Sequence, residues 1–536
     1  MKALSQCSLV VMLVASGALA IEPVFDMPHR GCYYTNWAQY RQGVASYKPA
    51  NVDPALCTYI SIAFGSIVNN VLTPLEWNDL DTFAALTALK QTAPNLKIFL
   101  SVGGWTLTSQ LVTVAATASS RTAFINSAIS NLRTWGLDGL DIDWEFPLAA
   151  DKSAYSTFLK EIRAAFQAEA ASSGKTRLAL SAAVHLISDG GFDGVVINNT
   201  LDVVNVMTYD LAGAWDLSGT GHQASLFVGP RGVPSEWNVA SIMQTWVDAG
   251  VAKSKLAVGL PLYGRGWMLA SASSHGLGAP VSAALTASFY TTESGAWPYY
   301  EICKRIQSDG ATKVFDTTIQ ASYAYTGSWW IGYDDVQTIA GKTTWAKNNG
   351  YGGVYVWDTA QDDFANLCGQ GKNPLLNAIK TASLGGSNPG TVAATPPRTT
   401  TTTVATTSKA TTTTTKAPST TVKATTAAAT IKTVPPTVQS GPLTTAKPAV
   451  TTTTTATTGA PPRPTTAASS GTTATCGTPL CTQKGPGLVA LGACSTTFCN
   501  CDQSNVGYLT SCGGALIFDS VNHYCNYQSQ VAGCAG

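Results

Sequence analysis

Asp138-Gly139-Leu140-Asp141-Ile142-Asp143-Trp144-Glu145-Phe146-Pro147 sets acids at alternate positions among large apolar residues. The alternation has the period of a β-strand, so Asp141, Asp143 and Glu145 are expected on one face and Leu140, Ile142, Trp144 and Phe146 on the other. Same-face neighbours on a strand lie roughly 6.6 Å apart, close enough for the carboxylates to repel one another and raise at least one pKa. Charged groups on an inner strand need partners or a task. Three readings compete: a solvated strand face, a divalent-cation site built from carboxylate oxygens, and carboxylates acting as general acid and electrostatic partner. The aromatic and aliphatic row opposite argues against the first. The third fits best, and no metal is expected.

Such a row must be held by a large scaffold. Short β-rich runs alternate with amphipathic stretches, and the candidate strands are 31–35, 58–63, 97–102, 139–144, 177–182, 203–207, 255–259 and 353–357. Eight is the count of a closed parallel barrel. Between them lie helical patterns; Tyr155, Phe158, Leu159, Ile162 and Phe166 fall on one helix face. Periodicity alone leaves a doubly wound sheet open. The barrel is preferred because the chemically unusual residues recur at the C-terminal ends of the strands, where barrel active sites are built.

Asp138, Asp141, Asp143 and Glu145, read as Asp-x-x-Asp-x-Asp-x-Glu, resemble the active-site strand of family 18 glycoside hydrolases, the retaining chitinases. Ser101-Val102-Gly103-Gly104-Trp105, Met207-Thr208-Tyr209-Asp210, Tyr263-Gly264-Arg265 and Gly352-Gly353-Val354-Tyr355-Val356-Trp357 resemble further motifs of that family, in its order. Cys32-Tyr33-Tyr34-Thr35-Asn36-Trp37-Ala38-Gln39-Tyr40-Arg41 is similar to the first strand of animal chitinases. The match covers about residues 25–380. It implies an α/β fold, a (β/α)8 TIM barrel with a small α+β insertion at about 268–335. It also implies disulfides Cys32–Cys57 and Cys303–Cys368.

Glycosidic cleavage needs an acid for the leaving oxygen and stabilisation of the cation that develops at the anomeric carbon. Glu145, ending the acidic strand, is expected to be the acid. In the family resembled, the substrate's own N-acetyl oxygen is the nucleophile. The resemblance then gives Asp143 the acetamide N–H to hold, Tyr209 the acetamide oxygen to meet, and Asp141 a proton shared with Asp143. Asp138 is read as a structural hydrogen-bond acceptor. Trp357 would floor the cleaved sugar's subsite, Trp37, Trp105 and Trp215 would extend a stacking platform, and Tyr33, Met207, Asp210 and Arg265 would line the pocket. The implied partners are chitin and chito-oligosaccharides, with no cofactor and the chain a monomer. The implied activity is that of an endo-chitinase. A non-catalytic chitin-binding lectin and an endo-β-N-acetylglucosaminidase on glycoprotein glycans are the rivals.

At 536 residues the chain exceeds one ordinary domain. Only 12% of residues are charged, while 14 Trp and 19 Tyr suit stacking on an uncharged polymer. The first 20 residues carry Lys2, an apolar run over 9–14 and Ala18-Leu19-Ala20, which reads as a secretory signal peptide rather than a membrane anchor. The protein is therefore expected outside the cell, where Asn198-Asn199-Thr200 is open to N-glycosylation. The catalytic region is assigned to 21–384, and 385–475 is a Thr, Pro and Ala-rich linker with basic residues but no acidic one. A mildly acidic body on a basic tether argues against nucleic acid as ligand. Residues 476–536 hold Cys476, Cys481, Cys494, Cys499, Cys501, Cys512, Cys525 and Cys534, the density of a disulfide scaffold. The Cys512, Cys525 and Cys534 spacing resembles a peritrophin-like family 14 chitin-binding module, with Tyr508, Phe518, Tyr524 and Tyr527 as candidate stacking residues.

Overall fold

The computed structural model describes residues 28–186, 190–229 and 237–386, with short segments between residues 480 and 527. The candidate signal peptide and the Thr-rich stretch from residue 387 lie outside the described residues. So do the cysteine pairing and stacking side chains of the C-terminal module.

In chain order the first unit carries β1 (His29–Thr35), β2 (Tyr59–Val68), β3 (Val71–Thr73), β4 (Lys97–Gly103), β5 (Gly139–Asp143), β6 (Ala179–Val184), β7 (Val203–Val206), β8 (Leu256–Pro261), β9 (Tyr263–Leu269), β10 (Val281–Ala284), β11 (Ala296–Pro298), β12 (Thr312–Asp316), β13 (Ala321–Tyr325), β14 (Trp329–Tyr333) and β15 (Gly353–Trp357). Parallel pairing runs β1-β15-β8-β7-β6-β5-β4-β2, and β1 also pairs with β2, so the sheet closes on itself. This is a (β/α)8 barrel. β4, β5 and β6 are almost wholly buried, as expected of parallel strands covered on both faces. β2 runs past the expected end at residue 63 because its last residues pair antiparallel with β3.

Two apolar layers sandwich the barrel wall. Outside, helices pack on the strands; the helix Lys152–Ser173 buries Tyr155, Phe158, Leu159, Ile162 and Phe166 on one face. Inside, Tyr33, Tyr59, Phe64, Phe99, Met207, Tyr209 and Tyr355 fill the space left by the small Ala63, Ala179, Ala183 and Ala257.

Between β8 and β15 an antiparallel sheet orders as β10-β9-β14-β13-β12, with β11 on β9, beside the helix Tyr299–Ser308. It has its own core of Trp267, Leu269, Ala279, Tyr323 and Trp330. The sheet begins at Tyr263 rather than near residue 268, which places Tyr263 and Arg265 on its first strand. Cys32 is disulfide-bonded to Cys57 and Cys303 to Cys368. Cys303 and Cys368 approach Asp363 closely enough to suggest a metal site. Their sulfurs are spent on each other, however, and Asp363 accepts from the Leu367 and Cys368 amides at 2.7 Å each.

A second unit holds an antiparallel sheet of Gly487–Ala490, Thr497–Cys501 and Gly507–Ser511, and a strand pair Leu516–Asp519 and Tyr524–Tyr527.

Candidate active site

Register builds the site's floor. Ser101 of β4 and Ser181 of β6 lie directly beside Asp141 of β5. Ser101 donates to Asp141 Oδ2 at 2.7 Å and Ser181 to Oδ1 at 2.5 Å, while Tyr33 reaches from β1 to Oδ2 at 2.7 Å. Both oxygens of Asp141 therefore already accept hydrogen bonds. Burial pushes the Asp141 carboxyl up, and the three hydroxyls oppose that rise.

Asp143 ends the strand one pleat further along. It is buried, and its Oδ1 has no hydrogen-bond partner among the described residues. Burial, then Glu145, then Asp141 hold its carboxyl well above the usual carboxylate range. The hydroxyls around Asp141 favour its charged form, and Asp143 has no such support at Oδ1 among the described residues.

Glu145 lies beyond the strand, so the alternation read from the sequence stops at Asp143 rather than at Trp144. Leu140, Ile142 and Trp144 do pack in the outer core. Phe146 does not: it packs against the interior cluster and stacks on His185 at 4.6 Å, because the chain has left the strand before reaching it. The Glu145 backbone N–H donates to Thr108 Oγ1 at 2.7 Å. Thr108 sits on the helix Gly104–Ala115, which follows β4 directly. That tight junction needs Gly103, whose φ is +107° and whose Cβ would stand 2.0 Å from the Asp143 carbonyl oxygen.

The Glu145 carboxyl is pushed up to about 7 by burial and then by Asp210, against opposing effects of His185 and a backbone hydrogen bond from Trp105. An acid at that value keeps its proton near neutral pH, as a general acid must. With Glu145 as the expected acid, kcat/KM on a soluble substrate should fall as pH rises through about 7, where its carboxyl loses its proton. A flat profile to pH about 9 would remove Glu145 from that role.

Tyr209, two residues beyond β7's next step, meets Tyr355 of β15 with hydroxyls 3.1 Å apart. Gly259 of β8 makes room for them, since a Cβ there would stand 2.8 Å from the Tyr209 ring and 3.0 Å from the Tyr355 hydroxyl. Burial raises both phenols well above their ordinary value, so both remain donors. Met207 packs in the same interior cluster.

Asp210 is gripped by Arg265, whose Nε and Nη2 donate at 2.6 and 2.7 Å, and by the Tyr263 hydroxyl at 2.7 Å. Arg265 also donates to Glu293 at 3.1 Å and lies over the Trp215 ring at 5.0 Å. The inserted sheet thus reaches into the site through Tyr263 and Arg265 of its first strand.

Trp37, Trp105 and Trp215 are 36, 75 and 62% exposed, so these indoles offer faces to solvent rather than filling core. Trp37, Phe64 and Trp357 form a mutually packed set with ring centroids 5.8 to 6.2 Å apart. Asp138 accepts from the Ile98 amide at 2.7 Å and pairs with Lys90, away from the carboxylate row.

Sequence reasoning missed Ser181, Thr108, His185 and Phe64, and gave Tyr355 and Tyr263 no role. The two tyrosines lay inside quoted motifs, and Ser181 stands in the candidate strand beside the acidic one. Nothing in the sequence marks Thr108 or Phe64.

Carboxyls at the C-terminal end of β5, with donors and aromatic faces from neighbouring strands, define a carbohydrate-cleaving barrel hydrolase. Residues 29–362 match the model of glycosyl hydrolases family 18, and the chain belongs to that family. It is a glycoside hydrolase. It is 39% identical over 361 residues to chitotriosidase-1 of Mus musculus, covering 65% of this chain and 76% of that one. The immunomodulatory active chitinase of Trichuris suis matches with TM-score 0.64 and 38% identity, over 67% of this chain and all of that one. Human YKL-39, described as a pseudo-chitinase with retained chitooligosaccharide binding, matches with TM-score 0.64 and 34% identity, over 66% of this chain and 99% of that one.

Proposed function

We propose that the protein is a secreted endo-chitinase that cleaves β-1,4 linkages between N-acetylglucosamine units with retention. Glu145 gives its proton to the departing glycosidic oxygen while the substrate's own acetamide oxygen bonds to the anomeric carbon. Asp143 holds the acetamide N–H, and Tyr209 donates to the acetamide oxygen. Water then opens the cyclic intermediate, losing its proton to Glu145, and the second inversion restores the original anomer. Asp141, one pleat deeper, shares a proton with Asp143. Trp37, Trp105, Trp215 and Trp357 stack on sugar faces, and Tyr33, Met207, Asp210 and Arg265 shape the pocket.

The observation that carries this reading is Asp143 Oδ1, buried without a donor among the described residues beside an acid pushed up to about 7. A buried carboxyl oxygen calls for a donor, which the acetamide N–H supplies. Asp141 is a poor nucleophile, because hydroxyls already occupy both its oxygens. The runner-up is chito-oligosaccharide binding without cleavage, as in the pseudo-chitinase YKL-39; Glu145 in place argues against it here.

The C-terminal cysteine spacing supports a tethered chitin-binding module. The full chain and a chain ending at residue 386, which retains both barrel disulfides, test the assignment side by side. Both should cut soluble chito-oligosaccharides at similar rates and leave high-mannose glycoprotein glycans intact. On insoluble chitin the shorter chain should lose adsorption and roughly tenfold in activity, since the tether only raises local concentration. Cleavage of the glycans would favour the endo-β-N-acetylglucosaminidase reading. Equal losses on both chitin substrates would end the anchoring role.

A further inference from the structure

Asp79 is wholly buried at the start of the helix Asp79–Ala88, far from the carboxylate row in sequence, and no catalytic step uses it. Its Oδ2 accepts from the Leu75 and Glu76 amides at 2.8 Å each, and its carboxylate accepts from Asn36 Nδ2 at 3.0 and 3.2 Å. Asn36 is also wholly buried, and the same Nδ2 donates to the Phe64 carbonyl at 3.1 Å. Asp79 and the Asn36 amide it holds therefore tie together the turn before the helix, the segment after β1, and the residue on which Trp37 stacks.

The tie continues outward. Gln39 and Asn78 exchange side-chain hydrogen bonds at 3.1 and 2.7 Å, and the Tyr40 hydroxyl donates to Glu76 at 2.6 Å. Segments 36–40 and 75–79 are thus zipped residue against residue. Trp37 rides on the first segment, its ring stacked on Phe64 at 5.8 Å and 24°, with Trp357 against both. Phe64 has little freedom of its own, since a Cβ on Gly104 would stand 2.5 Å from its ring. A 3-10 turn of five residues, Asn36–Tyr40, does not hold an indole rigidly by itself.

We propose that this clasp, centred on Asp79, positions Trp37 in the aromatic wall and thereby sets the affinity of the cleft for chito-oligosaccharides. The proposal deepens the chitinase reading and rests on it for the affinity part. Asp79 is a positioning residue acting through Asn36. It touches no sugar.

The test uses the full chain labelled with 5-fluorotryptophan, the Trp37 fluorine resonance being assigned by its loss in Trp37→Ala. In Asp79→Asn one acceptor becomes a donor facing backbone amides, and the Trp37 resonance should shift and broaden while those of Trp105 and Trp215 stay put. KM for a soluble chito-oligosaccharide should rise about three- to tenfold with kcat within about twofold of wild type, the scale of a weakened aromatic contact. In the Trp37→Ala background the same change should add less than about twofold, because the two substitutions remove one interaction. Should Asp79→Asn fail to fold, Asn78→Ala opens the outer clasp at a half-buried site and should move the same resonance and KM to a lesser degree. An unmoved Trp37 resonance in the folded variants would overturn the clasp, as would full additivity with Trp37→Ala. An inactive wild type would instead fault the functional reading, and the resonance would still decide the clasp.

Discussion

Glu145→Gln is expected to lower turnover of chito-oligosaccharides by a factor of about 10² to 10⁴, the usual worth of a positioned general acid. Binding should change little. The amide keeps the carboxyl's shape and can still accept the Trp105 backbone hydrogen bond, while the proton held near neutral pH is gone. Above pH about 7, where Glu145 is ionised, removing its charge should ease the repulsion that helps raise Asp143. The check is a pair of measurements on one preparation: kcat on a soluble oligosaccharide, and dissociation constants for the same oligosaccharide by calorimetry. A fall in kcat with binding intact marks an interaction made in the transition state alone. Wild-type turnover in this variant would remove Glu145 from the chemistry and reopen a metal-based reading of the carboxylates. Loss of binding together with turnover would mean that Glu145 serves the ground state.

Barrel and acidic strand were readable for the same physical reason. A parallel strand buried on both faces leaves a near-continuous apolar run, so Asp141 and Asp143 stood out against β5 before any contact was known. The eight strand centres were likewise legible, whereas several ends shifted by a few residues, most of all where β2 continues into its hairpin with β3. Local alternation also carried the expectation too far at Phe146. The period of a strand says nothing once the strand has ended, and the turn that follows Asp143 sends Phe146 to the interior side.

What could not be read were partnerships across the barrel. Tyr33 meets Asp141 from a strand 108 residues earlier, and Arg265 reaches Asp210 from the inserted sheet across 55 residues. No periodicity links such positions, because closure of the sheet rather than spacing along the chain brings them together. Thr108 and Phe64 illustrate the point from the other side. Each is an ordinary residue type in an ordinary place, and only the junctions at Gly103 and Gly104 turn them toward the site. Tyr355 shows a third case, a residue inside a recognised motif whose hydroxyl acquires meaning only opposite Tyr209.

The claim on which all of this depends is that the substrate supplies its own nucleophile. With both oxygens of Asp141 already accepting hydroxyl hydrogen bonds, and Asp143 Oδ1 buried without a donor among the described residues, the site gives an acetamide N–H an acceptor to bind and leaves Asp141 a poor nucleophile. Two chito-tetrasaccharides that differ only in the N-acetyl group of the sugar at the cleaved bond decide the matter, with the rate and the anomer of the first product followed by proton NMR. The acetylated compound should be cut to the β-anomer, and its deacetylated twin should react slower by a factor of about 10³ or more, since effective molarities of well-placed internal nucleophiles are that large. Comparable cleavage of the two compounds would contradict the account, and so would a first product of inverted configuration.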